Sequence, residues 1–117
     1  MERPRHILLV ENHDDTLLFL RRHLEFAGHS VTTARTAAEA QDAARQNPPD
    51  VLLCDIGLPD QDGWELLAGL GGSRPGLCIA MSGYAMAEDL RRSREAGFDH
   101  HLVKPFLPSD LDSLLGR

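Results

Sequence analysis

Short runs of apolar or β-branched residues recur five times along the chain, and polar segments with apolar residues at helical spacing separate them. The runs cover residues 7–10, 30–34, 51–54, 77–81 and 102–103. Continuous runs of this length, bounded by turn-forming residues, are typical of strands that are buried on both faces. Five strands that alternate with helices through short connections predict an α/β fold, in which a parallel sheet carries helices on both faces.

Capping residues predict where the helices begin and end. In the first helix we expect Asp15 at the N-cap and Gly28 just beyond the C-terminus. Thr36 and Glu39 have the spacing of a capping box, which predicts a second helix that must end before Pro48. The apolar face of the first helix is expected to contain Leu17, Leu20, Leu24 and Ala27. Three further helices are predicted at residues 64–70, at residues 87–96 and from residue 108 onwards.

Polar side chains stand at the C-terminal ends of four of the predicted strands. They are Glu11 and Asn12 after the first strand, Asp55 after the third, Ser82 after the fourth and Lys104 after the fifth. Because parallel strands place their C-terminal ends at one edge of the sheet, we expect these side chains to lie together, where open α/β sheets bind their ligands.

The chemistry of this group indicates phosphoryl transfer onto a carboxylate. Gathered carboxylates repel one another, and a hard divalent cation such as Mg²⁺ would relieve the repulsion while leaving room for phosphate oxygens. Lys104 can pair with a phosphoryl oxygen, and the hydroxyl of Ser82 can donate to another. Asp55 is the expected nucleophile, because its strand delivers it to the rim of a loop rich in turn formers.

Length and charge narrow the function classes. A chain of 117 residues suits one domain spanning residues 1–117. The formal net charge of -6 argues against direct nonspecific binding to nucleic acid or to anionic membranes. No apolar run approaches the roughly 18 residues of a transmembrane helix and no signal-peptide core is present, so we expect a cytoplasmic protein. Cys54 and Cys78 lie inside apolar runs, and we interpret them as buried free thiols.

Four motifs in this order resemble the receiver domain of two-component response regulators. They are VEN with the acidic cluster after it, PDVLLCDIGLPDQDG, AMSGY and LVKPF, which span nearly the whole chain. Strand order cannot be read from periodicity alone. The resemblance implies a doubly wound, flavodoxin-like (βα)5 fold, whose five-stranded parallel sheet has the order 2-1-3-4-5.

The resemblance also implies a phospho-acceptor and a metal site. Asp55 matches the aspartate that receives a phosphoryl group from a histidine kinase or a phosphotransfer domain. Glu11, Asn12, Asp55 and the backbone carbonyl of Gly57 match the positions that bind Mg²⁺ in the family, with Glu11 acting through water.

A second set of positions matches the family's activation machinery. Lys104 matches the lysine that pairs with the phosphorylated aspartate, and the peptide bond to Pro105 is cis in such domains, as only proline allows cheaply. Ser82 matches the hydroxyl that moves toward the phosphoryl group, and His101 occupies the aromatic switch position coupled to it. The face formed by the fourth helix, the last strand and the last helix is the one that changes partner affinity.

Two residues depart from the family pattern. Asn12 stands where an acidic metal ligand is usual, which predicts weaker Mg²⁺ binding and altered rates of phosphorylation or dephosphorylation. We interpret Asp15 as a helix cap, and His13 and Asp14 as solvated, rather than as substitutes for the lost acid. His101 replaces a tyrosine or phenylalanine. Its ring could act as a titratable switch, or His100 and His101 could simply end an edge strand.

Three other functions are alternatives to a phosphorylation switch. A flavodoxin-like cofactor binder needs a phosphate loop after the first strand, where ENHDD is acidic. A haloacid-dehalogenase-type phosphatase needs a D-x-D pair, which Asp55-Ile56-Gly57 lacks. A degenerate receiver, acting as a phosphorylation-independent interaction module, is favoured only by Asn12.

The stretch GYAMAEDLRRSREAGFDHHLVKPF resembles the receivers of hybrid histidine kinases, and we expect such an origin. A stand-alone regulator or a receiver with an attached output domain are the alternatives. In each case the partners are a phosphodonor protein and a downstream target or output domain.

Overall fold

The five predicted strands are present and form one parallel sheet. They are β1 (His6–Val10), β2 (Ser30–Ala34), β3 (Val51–Asp55), β4 (Leu77–Ser82) and β5 (His100–Val103). Their order is β2-β1-β3-β4-β5, which confirms the flavodoxin-like topology. The computed structural model describes residues 4–83 and 86–116, so Tyr84 of the AMSGY motif and both ends of the predicted domain lie outside the described residues.

Helices cover both faces of the sheet, as the alternating pattern predicted. They are α1 (Asp14–Phe26), α2 (Ala37–Gln46), α3 (Gly63–Leu70), α4 (Ala87–Ala96) and α5 (Pro108–Leu115), and a short 3-10 turn at Gly71–Ser73 follows α3. Residues of β1 alternate between two apolar cores. Ile7 and Leu9 pack with α1 and α5, whereas Leu8 and Val10 pack with α2 and α3. This two-sided burial holds the central strands β1 and β3 rigidly, and both deliver polar residues at their ends.

The N-terminus of α1 differs from the prediction. His13, not Asp15, is the N-cap, no side chain caps the helix, and both Asp14 and Asp15 lie in its first turn. The chain turns early because the carboxylate of Glu11 accepts the backbone N–H of His13 at 3.1 Å. The prediction of an Asp15 cap was therefore wrong, although both aspartates lie where the helix dipole favours negative charge.

The C-terminus of α1 and the start of α2 largely follow the prediction. Gly28 has a left-handed φ of +100°, as expected of a residue just beyond a helix. Ala27 is exposed, so its predicted place on the apolar face was wrong. Thr36 accepts the backbone N–H of Glu39 at 3.1 Å, which is one half of a capping box. The carboxylate of Glu39 accepts the N–H of Arg35 instead of that of Thr36, so the second half is absent.

Both cysteines are buried free thiols, as predicted, and burial raises the pKa of Cys78 to about 11. None of the helices within the described residues is long enough and apolar enough to cross a membrane.

Candidate functional site

Asp55 lies at the C-terminal end of β3, whose five residues are all buried. Only 7% of its surface is exposed. Its Oδ1 accepts the backbone N–H of Gly57 at 2.8 Å, and its Oδ2 accepts a hydrogen bond from the Lys104 ammonium at 2.7 Å. Both oxygens therefore have fixed directions, and the carboxylate faces the edge of the sheet.

The loop after Asp55 is hydrogen-bonded to the N-termini of α2 and α3. The carboxylate of Asp60 accepts the first backbone N–H groups of α2, from Ala37 at 2.9 Å and from Ala38 at 3.0 Å, and these bonds lower its pKa. Asp62 caps α3 in a capping box with Glu65. Asp60 and Asp62 belong to the turn-rich motif that the sequence placed after the strand, and they hold the loop in one shape.

Gly63 allows the first turn of α3 to approach the backbone of Asp55 and Ile56 closely. A Cβ at this position would lie 2.9 Å from the backbone oxygen of Asp55 and 3.0 Å from the Cα of Ile56. Its N–H also donates to the carbonyl of Ile56 at 2.8 Å. The first turn of α3 therefore packs directly against the backbone that carries Asp55.

Lys104 links two carboxylates at the end of β5. Its Nζ lies 2.5 Å from Glu11 Oε1 and 2.7 Å from Asp55 Oδ2. Its backbone N–H donates to the carbonyl of Ser82 at 2.7 Å, and its peptide bond to Pro105 is cis, as the resemblance implied. Burial lowers the pKa of Lys104, but its bonds and charge attraction to the two carboxylates outweigh this, and the pKa lies above the ordinary lysine value.

Glu11 is fully buried at the end of β1. Its Oε2 accepts both the backbone N–H and the Nδ1 of His13, each at 3.1 Å. Burial raises the pKa of Glu11, but the Lys104 bond and the two His13 bonds together lower it below the usual value. The carboxylate is therefore charged, and it holds Lys104 beside Asp55.

The donor atoms at this edge of the sheet suit a divalent cation. One donor atom each from Glu11, His13 and Asp55 lie within 4.8 Å of one another. Ligands at about 2.1 Å from a cation are at most about 4.2 Å apart, so these side chains would have to move closer together to bind one. Gly57 lies beside Asp55, whereas Asn12 is an exposed residue next to Glu11. The site thus carries two carboxylates, and a neutral amide stands where a third acid is usual.

His101 makes two hydrogen bonds, one through each ring nitrogen. Its Nε2 lies 2.7 Å from the hydroxyl of Ser82, and its Nδ1 lies 2.7 Å from the hydroxyl of Ser93 on α4. The indole N–H of Trp64 donates to Ser93 at 2.8 Å. Burial lowers the pKa of His101, opposed in part by the charge of Asp89. The ring is thus held between two serines. His100 and His101 belong to the edge strand β5, but they begin this strand and do not end it.

A cavity of about 300 Å³ extends from Asp55 to Ser82 and His101. Its lining residues are Asp55, Ile56, Gly57, Trp64, Ser82, Gly83, Asp89 and His101. Asp55 and Ser82 therefore line the same cavity, which has room for a small anionic group.

Most of the predicted site residues lie together, and two contributors were missed. Glu11, Asp55 and Lys104 form one hydrogen-bonded group, as their positions at strand ends predicted. His13 was interpreted as solvated, but its ring bonds to Glu11. Its position two residues beyond Glu11 was a usable signal. Ser93 lay in a charged helical segment, and nothing in the sequence marked it.

Comparison with known proteins agrees with this geometry. Residues 7–115 match the family of response regulator receiver domains. The chain is 36% identical over 111 residues to the transcriptional regulatory protein KdpE of Mycobacterium tuberculosis, an alignment that covers 95% of this chain and 48% of KdpE. It is 31% identical over 105 residues to the polar-differentiation response regulator DivK of Brucella anthropi, covering 87% of this chain and 85% of DivK. The chain thus spans about half the length of KdpE.

A solved structure shows the same similarity. The CheY-like receiver domain protein of Methanospirillum hungatei has 36% sequence identity and a TM-score of 0.87, and the match covers 95% of this chain and 90% of that one. The chain therefore belongs to the receiver-domain family of two-component response regulators, which are signalling domains that accept a phosphoryl group.

Proposed function

We propose that residues 1–117 form a single receiver domain in which Asp55 accepts a phosphoryl group from a phosphohistidine donor, either a histidine kinase or a phosphotransfer domain. The observation that carries this proposal is the position of the Lys104 ammonium, 2.7 Å from Asp55 Oδ2 and 2.5 Å from the buried Glu11. A charged lysine beside the acceptor is what transfer of an anionic group onto an anion requires.

The groups around Asp55 assist each step of the phosphoryl transfer. A carboxylate oxygen of Asp55 attacks the phosphorus, the bond from phosphorus to the donor histidine breaks, and the electron pair leaves with the imidazole nitrogen. Gly57 N–H holds the carboxylate in place at 2.8 Å. Lys104 shifts from the carboxylate to a phosphoryl oxygen, and Glu11 keeps its ammonium close because their 2.5 Å bond does not depend on Asp55. The hydroxyl of Ser82 donates a hydrogen bond to a second phosphoryl oxygen and keeps its proton.

Glu11, Asn12, Asp55 and the carbonyl of Gly57 would hold Mg²⁺, which neutralises charge on the phosphoryl oxygens when bound. Asn12 brings an oxygen but no charge, and ligand charge tunes the affinity of such sites. We therefore infer that Mg²⁺ binds more weakly here than at a site with a third carboxylate.

The donor is inferred to approach over α1 and the loop after β5. A groove of about 550 Å³ lies there between Phe19, Pro105 and Phe106, and Lys104 and Gly83 also line it. Phe19 is 56% exposed. An apolar surface next to the acceptor gives a donor protein contact area without blocking the acceptor cavity.

Phosphorylation would act by shifting the population between two conformations. A phosphoryl group brings about two negative charges to Asp55. Ser82 and Lys104 then reorganise, and the face formed by α4, β5 and α5, which carries His101, changes its affinity for a downstream protein or an attached output domain. The net charge of -6 supports a protein partner over direct nucleic-acid or membrane binding, and a cytoplasmic setting fits such a relay.

Beryllofluoride, which mimics a phosphoryl group on aspartate, tests the proposal. With Mg²⁺ present, it is expected to shift the backbone amide signals of residues 55–57 and 82–83 in the wild-type protein and to leave those of Asp55→Asn unchanged. Equal shifts in both proteins, or none in either, would contradict the assignment of Asp55 as the acceptor.

A further inference from the structure

Four side chains form a continuous hydrogen-bonded chain from the acceptor cavity to α3. Ser82 bonds His101 Nε2 at 2.7 Å, and His101 Nδ1 bonds Ser93 at 2.7 Å. Ser93 then bonds Trp64 Nε1 at 2.8 Å. Ser93 is 1% exposed, so its hydroxyl is shielded from bulk water.

The direction of these bonds follows from the chemistry of their ends. An indole N–H only donates, so Ser93 Oγ accepts from Trp64. The buried hydroxyl of Ser93 needs an acceptor for its own proton, and His101 Nδ1 is the one acceptor that the described residues give it. Nδ1 is then unprotonated, and the proton of the neutral ring sits on Nε2, which donates to Ser82 Oγ. Ser82 therefore directs its own proton away from His101.

The Trp64 end of this hydrogen-bonded series contacts the loop that follows Asp55. The guanidinium of Arg92 lies 4.1 Å from the centroid of the Trp64 ring and 3.9 Å from Asp62. Asp62 is the N-cap of α3 and ends the loop that begins after Asp55. A series of contacts thus runs from Ser82 through α4 to α3 and back to the loop of Asp55.

We propose that Ser93 and Trp64 are positioning residues, which fix His101 in its Nε2–H tautomer so that Ser82 presents its hydroxyl proton to the phosphoryl group. The same bonds transmit the state of Asp55 to Trp64 on α3. This inference rests on the proposed function of Asp55. When Ser82 moves toward a phosphoryl group, His101 follows it and its bond to Ser93 lengthens. Because the Ser93 hydroxyl accepts the Trp64 N–H, the environment of the indole N–H then changes.

The tautomer of His101 can be measured directly from the ¹⁵N chemical shifts of its two ring nitrogens. In the wild-type chain at neutral pH we expect the Nε2–H form to dominate. Trp64→Phe keeps the ring and removes the N–H, so it should shift the tautomer ratio toward Nδ1–H by about fivefold, the factor that one ordinary hydrogen bond supplies. A wild-type ring protonated on Nδ1, or a ratio that Trp64→Phe does not change, would overturn the assignment.

The coupling is tested at the indole N–H of Trp64, the single tryptophan of the chain. Beryllofluoride with Mg²⁺ should shift this signal in the wild type, and Ser93→Ala should reduce the shift by at least about half. Ser113→Ala, on the exposed side of α5, is the matched control and should keep the full shift. A wild-type indole signal that does not respond while the amides of residues 55–57 do would overturn the inference and leave Asp55 as the acceptor. Failure of those amides to respond would instead overturn the proposed function. If Ser93→Ala does not fold, the tautomer ratios of the wild type and Trp64→Phe decide the matter.

Discussion

Asn12 decides the charge of the proposed metal site. The neighbouring Glu11 is buried and ion-paired with Lys104, whereas Asn12 is exposed and contributes only a neutral amide. Since the negative charge of Glu11 and Asp55 is already shared with one ammonium, little net charge remains to attract a cation.

Restoring the acid should strengthen metal binding. We expect Asn12→Asp to raise the affinity for Mg²⁺ by about tenfold, because ligand charge controls the affinity of oxygen-ligated sites. Titration with Mg²⁺, followed by calorimetry or by Trp64 fluorescence, measures the change. Asp14→Asn is the matched control, since Asp14 lies only two residues after Asn12 but pairs with Arg35. An unchanged affinity in Asn12→Asp would refute the role given to this position.

Residues at strand ends were predictable, and residues that depend on helix orientation were not. Glu11, Asp55 and Lys104 meet because parallel strands end at one edge, a fact independent of side-chain packing. The contact of Ser93 with His101 depends on how α4 is rotated against β5. Periodicity gave no guide to that rotation, because the stripe of α4 has few apolar residues.

The loop between β3 and α3 is the element that locates Asp55. The apolar strand before this loop and the turn-forming residues within it could be identified from the sequence. The capping of α2 by Asp60 was not, because it joins residues more than twenty positions apart. The misplaced cap of α1 has a similar cause, since a carboxylate that is outside the helix, that of Glu11, sets the turn at His13.

Gly63→Ala should destabilise the protein by about 1–3 kcal/mol, the usual cost of overpacking. The added Cβ would lie 2.9 Å from the backbone oxygen of Asp55, and backbone cannot move aside cheaply. Urea denaturation of the variant and the wild type measures the change. Gly72→Ala is the control, because a Cβ at that position meets nothing within 4 Å. Similar losses in the two variants would show that close approach is not the cause.

In the whole molecule, an apolar core packs on each face of the sheet, and charged residues lie at the edge where the strands end. The two cores on the faces of the sheet contain the residues of β1 and β3 that precede Glu11 and Asp55. Lys104 follows the edge strand β5, which pairs with β4. Because the pKa of Glu11 is lowered and that of Lys104 is raised, their pairing contributes to global stability over a defined range of pH.

The free energy of unfolding should therefore be highest between the ordinary pKa values of Glu and Lys, about 4.3 and 10.4. It should fall as the pH drops below the first value, because the pKa of Glu11 is depressed in the folded state. It should also fall as the pH rises above the second value, because the folded pKa of Lys104 is raised. Lys104→Met is expected to flatten both limbs in denaturation curves recorded across pH, and Arg45→Met, an exposed site, should leave them unchanged. A Lys104→Met profile identical to that of the wild type would contradict this linkage.

The alternation of five strands and five helices was predictable from the sequence, and the strand order was predicted from the family resemblance that the motifs carry. The exposed apolar groove beside Phe19 was not, because only the assembled fold brings α1 next to Pro105 and Phe106.

Covalent phosphorylation of Asp55 is the central expectation, and mass spectrometry tests it most directly. The wild-type protein, incubated with a small-molecule phosphodonor and Mg²⁺, should gain the mass of one phosphoryl group, lose it on treatment with hydroxylamine, and carry it on the peptide that contains Asp55. Asp55→Asn should gain none. A phosphoryl group on another peptide, or no gain in the wild type at any Mg²⁺ concentration, would contradict the proposed function.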